Sequence, residues 1–180
     1  MLLEARRSLL LVVDVQERLL PAIHGADGVL RWIEKMVRAA GVLGVPVVAT
    51  EQYPQGLGRT AGAVGDLLPE AQRVSKMHFC AAAEPDLMDR LAAAGRRQIV
   101  LCGTEAHVCV LQTAMGLSAA GYDCIVVADA VGSRDPANRL AALDRLRAGG
   151  MTIVTGEMVL FEWMARAGTP EFKQILPLIR

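Results

Sequence analysis

Three residues of different chemical type lie where the pattern of the chain changes, and together they could perform nucleophilic chemistry. Asp14 follows the apolar run LLLVV, Lys76 ends the segment RVSK, and Cys109 lies in GTEAHVCVLQTA, where an apolar run gives way to helical periodicity. A thiolate is a strong nucleophile, and the free N–H groups of a helix N-terminus and a nearby lysine stabilise it. A carboxylate within reach can take the thiol proton and later give it to a leaving group.

Each of these residues also has an ordinary structural explanation. An acid after a strand often caps the next helix, a lysine in a short strand is often solvated, and a free cysteine is usually buried as a small apolar residue. Cys102 and Cys124 lie inside apolar runs and fit that explanation, and simple burial is also preferred for Cys80. The spacing alone therefore permits an acid–lysine–cysteine site without being specific for it.

The elements that must position these residues alternate along the chain. Helical periodicity separates short aliphatic runs that are apolar on both faces, as in parallel strands; the runs cover residues 8–14, 45–51, 72–76, 98–103, 122–129 and 151–156. This alternation predicts an α/β fold: a three-layer α/β/α sandwich with a doubly wound, parallel, six-stranded sheet in one domain of residues 1–180. Such sheets bind ligands outside the carboxyl ends of their strands, where the three candidates would meet.

Composition argues against several classes of partner. The 180 residues include 19 acids and 19 bases, so we expect no nucleic acid and no anionic membrane to bind through net charge. No apolar run approaches the roughly 20 residues that span a bilayer.

Four cysteines without CxxC spacing or a secretory signal predict reduced thiols and a cytoplasmic location. The 53% apolar content and the C-terminal FKQILPLIR, which has no obvious place in the sheet, predict a homo-oligomer.

Five segments together resemble the isochorismatase-like cysteine hydrolase superfamily, and within it the small isochorismatase-domain or nicotinamidase-related hydrolases: LLLVVDVQERLLPAI, VVATEQYPQGLGRT, VSKMHF, GTEAHVCVLQTA and VVADAVGSR. The resemblance implies a catalytic triad of Asp14, Lys76 and Cys109. It also implies a cis peptide bond between Thr104 and Glu105, with the amides of Glu105 and Cys109 facing the substrate oxygen. The activity it implies is hydrolysis of a C–N bond in a small amide, carbamoyl or ureido compound through a thioester.

Two departures from relatives narrow this expectation. Metal-containing nicotinamidases carry an aspartate and histidines after strand two, but this loop reads EQYPQGLGRT, so we expect no metal and no cofactor. True isochorismatases cleave a vinyl ether and lack the nucleophile, so Cys109 favours amide-type hydrolysis. Gln16, Tyr53, Phe79 and His107 are candidates to contact a small-molecule substrate because each lies near a triad position or the same sheet edge; packing or surface exposure explains them equally well.

Three other functions are weighed against hydrolysis. A nucleotide-binding module is disfavoured, because DVQERLLP after strand one contains neither G-x-G-x-x-G nor a P-loop. A redox protein would oxidise Cys109, although no second cysteine follows at CxxC spacing. A non-catalytic binding protein of the same fold would have no need of the three candidate residues. The irregular segment 51–71 is long enough to suggest a functional loop, and Trp163 is expected in the core or at a subunit contact.

Overall fold

The computed structural model describes residues 1–179, and its strands form one parallel sheet in the order β3-β2-β1-β4-β5-β6. The strands are β1 (Ser8–Val13), β2 (Val47–Gln52), β3 (Arg73–Lys76), β4 (Gln98–Thr104), β5 (Asp123–Gly132) and β6 (Thr152–Val154). The predicted doubly wound α/β fold with six strands is confirmed. The strand order reverses direction between β1 and β4, and this switch point is where open α/β sheets bind ligands.

Helices cover both faces of the sheet: α1 (Ala26–Leu43), α2 (Pro54–Leu57), α3 (Gly62–Gly65), α4 (Pro85–Ala94), α5 (Leu111–Ala119), α6 (Pro136–Ala148), α7 (Gly156–Met164) and α8 (Pro170–Ile179). Helices α1, α7 and α8 pack on one face, and α4, α5 and α6 pack on the other. Within residues 1–179, no helix has both the length and the apolar character needed to cross a membrane.

The two apolar faces of β1 explain why its sequence does not alternate. Leu10 and Val12 pack into the core under α1, whereas Leu9, Leu11 and Val13 pack into the core on the opposite face. All five side chains are fully buried. A central parallel strand with helices on both sides must be apolar throughout, and this is the pattern from which the strand was predicted.

Strand boundaries differ from the predictions at β5, at β6 and at the end of β1. Strand β5 continues to Gly132 past a register shift opposite residues 101–103, while β6 is shorter than predicted. Asp14, predicted as the last residue of the first strand, lies outside it because its φ of 49° cannot continue an extended chain.

The segment predicted as a long irregular loop contains α2 and α3 and packs along the residues that follow β1. The Ala61 N–H donates to the Val15 carbonyl at 2.8 Å. The carboxylate of Glu51 accepts hydrogen bonds from both the N–H and the hydroxyl of Thr60, each at 2.7 Å. The acid at the end of β2 therefore holds this segment in place.

The C-terminal apolar residues have a place in the protomer itself. Ile175 of α8 is fully buried, and Phe172, Leu178 and Ile179 pack on the same cluster as α1. The C-terminal segment therefore gives no support to the predicted homo-oligomer. Trp163 is a core residue, and its indole N–H donates to the Ser8 hydroxyl at 2.9 Å.

Gly103 allows β1 and β4 to approach each other at the switch point. A Cβ there would overlap the carbonyl oxygen of Val13 and come within 2.7 Å of its nitrogen, and φ is +120°. Because the collision adds to the backbone strain, we expect Gly103→Ala to lower the free energy of unfolding by more than about 3 kcal/mol in urea denaturation.

Gly121→Ala is the matched control for this substitution. Gly121 also has a positive φ, +89°, but no heavy atom lies within 4 Å of the position that a Cβ would take. It should lose only the roughly 1–2 kcal/mol of backbone strain. Equal losses in the two variants would show that close strand packing at Gly103 is unimportant.

Candidate active site

A fully buried ion pair lies at the carboxyl edge of the sheet. The Oδ2 atom of Asp14, just after β1, is 2.8 Å from the Nζ atom of Lys76 at the end of β3, and both side chains are inaccessible to solvent. The Thr50 hydroxyl donates to Asp14 Oδ1 at 2.7 Å. Residues distant in the sequence therefore meet here, because β2 lies between their two strands and contributes a partner of its own.

Oxygen acceptors surround the ammonium group of Lys76. It donates to Gln52 Oε1 at 2.5 Å, to the His78 carbonyl at 3.1 Å and to the Phe79 carbonyl at 3.4 Å. Asp14 Oδ2 faces the same ammonium but accepts no hydrogen bond of acceptable geometry within residues 1–179. Its lone pairs are therefore available to a further donor.

The backbone of Asp14 is held as firmly as its side chain. Its N–H donates to the Thr50 carbonyl at 3.1 Å, and its carbonyl accepts the Thr104 hydroxyl at 2.7 Å and the Gln16 N–H at 3.0 Å. Its φ of 49° is uncommon for a residue other than glycine, although aspartate tolerates it better than most. These bonds to the flanking strands fix the direction of the carboxylate.

Cys109 lies in a π-helical turn, Ala106–Val110, between β4 and α5. The sequence predicted an ordinary first helical turn at this place, and no sequence signal indicated the wider one; such turns are frequent at functional sites. The Thr104–Glu105 peptide bond that precedes the turn is cis. Within residues 1–179, the N–H groups of Glu105, Ala106 and His107 have no acceptor.

The Cys109 thiol lies close enough to Asp14 and Lys76 that the charges of both act on its pKa. Burial, joined by the negative charge of Asp14, raises its pKa from 9.0 to about 12, and the positive charge of Lys76 only partly opposes this. The resting group at neutral pH is therefore a thiol. Desolvation and the adjacent carboxylate therefore outweigh the stabilisation of a thiolate that the sequence predicts from the lysine.

The other cysteines lie apart from this cluster. Cys102 and Cys124 are buried in the sheet, and burial raises the pKa of both thiols. Cys80 is half-buried, and its thiol donates to the Gln112 carbonyl of α5 at 3.3 Å. All four cysteines are free. Within residues 1–179, no group of three or more His, Cys, Asp or Glu residues is arranged to hold a metal ion.

Gln16, a candidate for substrate contact, has a structural position. Its Nε2 donates to the Gln52 carbonyl at 3.0 Å and to the Gly58 carbonyl at 2.7 Å, and its Oε1 accepts the Gln52 N–H at 2.8 Å. The residue is fully buried. Its amide is engaged with the end of β2, which gives Gln16 a structural role, and its contact with substrate stays a prediction.

The other three candidates lie near the ion pair or the nucleophile with solvent-accessible side chains. Tyr53 donates its N–H to the Lys76 carbonyl at 2.9 Å, and Phe79 follows Lys76 by three residues; their side chains leave these residues 48% and 55% exposed. His107, two residues before Cys109, is partly exposed, and its Nδ1 is 3.0 Å from the Ser133 hydroxyl. The exposed parts of these three side chains are accessible to a bound molecule.

Thr50 and Gln52 belong to this cluster but were not among the residues predicted from the sequence. They lie on either side of Glu51 in the polar end of β2, and their significance follows only from strand pairing. Thr50 is in register with Val13, directly before Asp14, and Gln52 is in register with Lys76. The usable signal would have been two polar residues at the carboxyl end of a buried strand, next to two strands that end in charged residues.

Comparison with known proteins identifies similar chains. The family model for the isochorismatase domain matches residues 8–158. The secreted isochorismatase effector Isc1 of Phytophthora sojae is 40% identical over 96% of this chain and 84% of its own length. Isochorismatase domain-containing protein 1 of Danio rerio is 39% identical over 93% of this chain, which spans only 59% of that relative.

Solved structures share the fold across nearly the whole chain. The MAR1 ribonuclease of Caenorhabditis elegans has a TM-score of 0.93 and 32% identity, with 99% of this chain and 92% of that chain covered. The YcaC gene product of Escherichia coli, described as an octameric hydrolase of unknown specificity, has a TM-score of 0.88 and 22% identity, with 99% and 87% covered.

Asp14 raises the pKa of the Cys109 thiol and Lys76 lowers it, so substitutions that remove these two charges should change the reactivity of the thiol in opposite directions. Asp14→Asn removes the anion that raises the thiol pKa, so iodoacetamide should alkylate Cys109 about tenfold faster or more at pH 7.5. Lys76→Met removes the opposing cation and should slow the same reaction. The rate is measured by mass spectrometry of the Cys109 peptide, which separates it from the partly exposed Cys80.

Circular dichroism checks that both variants fold, and Cys109→Ser confirms the modified site. Slower alkylation in Asp14→Asn than in the unmodified protein would contradict this account of the thiol. It would mean that the carboxylate activates the cysteine in the resting state.

Proposed function

We propose that this chain, which belongs to the isochorismatase domain family, is a cysteine hydrolase that cleaves a C–N bond in a small amide, carbamoyl or ureido compound. The observation that carries the proposal is the buried Asp14–Lys76 pair with the Cys109 thiol in reach of both. A nucleophile, a proton acceptor and a fixed cation then meet at the switch point of the sheet.

The first step forms a covalent bond between enzyme and substrate. Asp14 Oδ2 accepts the Cys109 proton as the sulfur attacks the carbonyl carbon, and the π electrons of the C=O bond move to its oxygen. The oxyanion faces the backbone N–H groups of Glu105 and Cys109, which follow β4. These donors stabilise the negative charge as it develops on the oxygen. Because the thiol pKa is raised, proton transfer accompanies attack and does not precede it.

The second and third steps release the two products. The C–N bond breaks as Asp14 gives its proton to the leaving nitrogen, which leaves a thioester on Cys109. Asp14 then takes a proton from a water molecule that attacks the thioester carbonyl. The C–S bond breaks, the acid leaves, and the proton returns from Asp14 to the sulfur.

Lys76 acts in this scheme as a fixed positive charge. Three oxygen acceptors hold its ammonium protons, and it stays 2.8 Å from Asp14 Oδ2. A lysine so surrounded stabilises the negative charge that passes between Asp14 and the sulfur without exchanging its own proton. Its burial keeps the interaction strong, since water does not screen it.

RNA is the second candidate substrate, because the nematode protein whose solved structure shares this fold at 32% identity is named a ribonuclease. Against RNA, acids and bases balance in the chain, so no net positive charge attracts a polyanion. We therefore propose the small-molecule reaction, and single-stranded RNA serves as a competing substrate in its test.

We also propose a homo-oligomer. The octameric neighbour has this fold, and large apolar side chains are exposed on this protomer: Tyr53, Met77, Phe79, Leu140, Met158 and Phe161. Light scattering at micromolar concentration should give a multiple of the protomer mass, and a monomer would contradict it.

The free cysteines are compatible with a reducing compartment, for which we propose the cytoplasm.

A screen of small amides, carbamoyl compounds and ureido acids for ammonia release tests the proposed reaction. Cys109→Ala should abolish turnover of any substrate found, because no thioester can form. Asp14→Asn should reduce turnover by at least about 100-fold, because proton transfer by a positioned group contributes roughly 10²–10⁴-fold. The same variant should nevertheless be alkylated faster.

Cys80→Ser is the matched control, since it removes a thiol outside the cluster and should leave turnover unchanged. Turnover that survives in Cys109→Ala would refute the thioester mechanism. Cleavage of RNA that depends on Cys109, with no small amide turned over, would replace the small-molecule proposal with the ribonuclease one.

A further inference from the structure

The turn that carries Cys109 is attached to the loop between β5 and α6 by two side chains. The carboxylate of Glu105 is buried, with 7% of the side chain exposed, and receives four hydrogen bonds from Arg134. The Arg134 N–H donates to Oε2 at 3.2 Å, Nε donates to Oε1 and Oε2 at 3.2 and 3.0 Å, and Nη2 donates to Oε1 at 2.6 Å.

The second attachment comes from the neighbouring residue of the same loop. His107 Nδ1 is 3.0 Å from the hydroxyl of Ser133, which is itself buried. Two consecutive loop residues thus hold the side chains of Glu105 and His107 on either side of Ala106. The loop between β5 and α6 therefore supports this turn from outside the triad.

Glu105 is bound on both its side chain and its backbone. Its carbonyl accepts the N–H groups of Val108 at 3.1 Å and Val110 at 3.2 Å, which closes the turn around Cys109. Its own N–H has no acceptor within residues 1–179. Hydrogen bonds from the Arg134 guanidinium hold the pKa of the Glu105 carboxyl below its ordinary value, so the carboxylate stays charged.

We propose that Arg134 is a positioning residue, which through Glu105 sets the direction of the unpaired Glu105 N–H relative to the Cys109 sulfur. The guanidinium is 61% exposed, and within residues 1–179 its hydrogen-bond partner is Glu105 alone. A bidentate guanidinium–carboxylate pair fixes the orientation of the carboxylate, whereas a point charge does not. The Glu105 N–H then points at the site where a substrate oxygen becomes negative.

This inference rests on the oxyanion site of the proposed function, but its test needs no natural substrate. Propionaldehyde adds reversibly to a cysteine thiol: an S–C bond forms, the C=O π bond opens, and the thiol proton passes to the oxygen. That oxygen requires the donors that an oxyanion would use. Iodoacetamide reacts at a saturated carbon and requires none of them, so it reports on the thiol alone.

The experiment has two readouts. The protection of Cys109 from iodoacetamide by propionaldehyde gives the Kd of the aldehyde, and the alkylation rate without aldehyde reports on the thiol. The decisive protein is the double variant Arg134→Gln with Glu105→Gln, because it removes both charges of the pair and leaves net charge unchanged. Its Kd should rise about tenfold or more, since small misplacements of a donor are costly, while its alkylation rate stays within about twofold of the original.

Two single substitutions complete the set. Arg134→Lys keeps the charge but loses the bidentate geometry, so the aldehyde Kd of this variant should lie between those of the unmodified protein and the double variant. Arg147→Gln removes a cation of α6 whose partner is Asp144 at 2.8 Å on the same helix, and it should match the unmodified protein in both measurements.

Unchanged aldehyde affinity in the double variant would overturn the proposal, because the Arg134–Glu105 pair would then play no part in positioning the Glu105 N–H. An equal loss in the two measurements would overturn it too, since that result means general disruption of the turn. Failure of the proposed hydrolase function appears separately, as turnover that survives Cys109→Ala. Neither aldehyde binding nor alkylation depends on turnover.

Discussion

Asp14 and Lys76 bring two opposite charges within 2.8 Å of each other in a region that water does not reach. Burying an ion costs several kcal/mol even after the protein relaxes, so such a pair persists only where other polar groups complete its hydrogen bonding. Here Thr50 supports the carboxylate, and Gln52 supports the ammonium. Both supports come from β2, the strand between the two charged residues. The order and register of β1, β2 and β3 are thus tied to the stability of this pair.

The same burial determines the state of the nucleophile. In water a lysine beside a cysteine would favour the thiolate, but at this site desolvation and the carboxylate together favour the thiol. Cys109 therefore has low intrinsic reactivity in the resting protein, and the proposed function gives Asp14 the task of accepting its proton during attack. A buried thiol of this kind reacts slowly with diffusing oxidants, because the reactive thiolate is scarce in the resting protein. This property also weighs against a redox role for Cys109.

Residues whose environment is set by neighbours in sequence were predictable, and residues set by neighbours across strands were not. The apolar run of β1 and the glycine-containing end of β4 placed Asp14 and the turn of Cys109 at the carboxyl edge, since alternating elements allow few topologies. The positive φ of Asp14 depends on bonds to Thr50 and Thr104, which no local pattern reveals. The structural role of Gln16 is hidden from the sequence for the same reason: its amide partners are backbone groups near the end of β2.

The structure separates the proposed reacting groups from the residues proposed to contact a substrate. Asp14 and Lys76 are buried and held by the sheet, whereas Tyr53 and Phe79 lie on connecting segments with exposed side chains. Connecting segments tolerate change because they contribute few buried contacts, while a buried charge tolerates almost none. Under the proposed function, the reaction class therefore follows from the fold and its strand register, and substrate choice follows from the loops. A division of this kind lets one fold carry different functions.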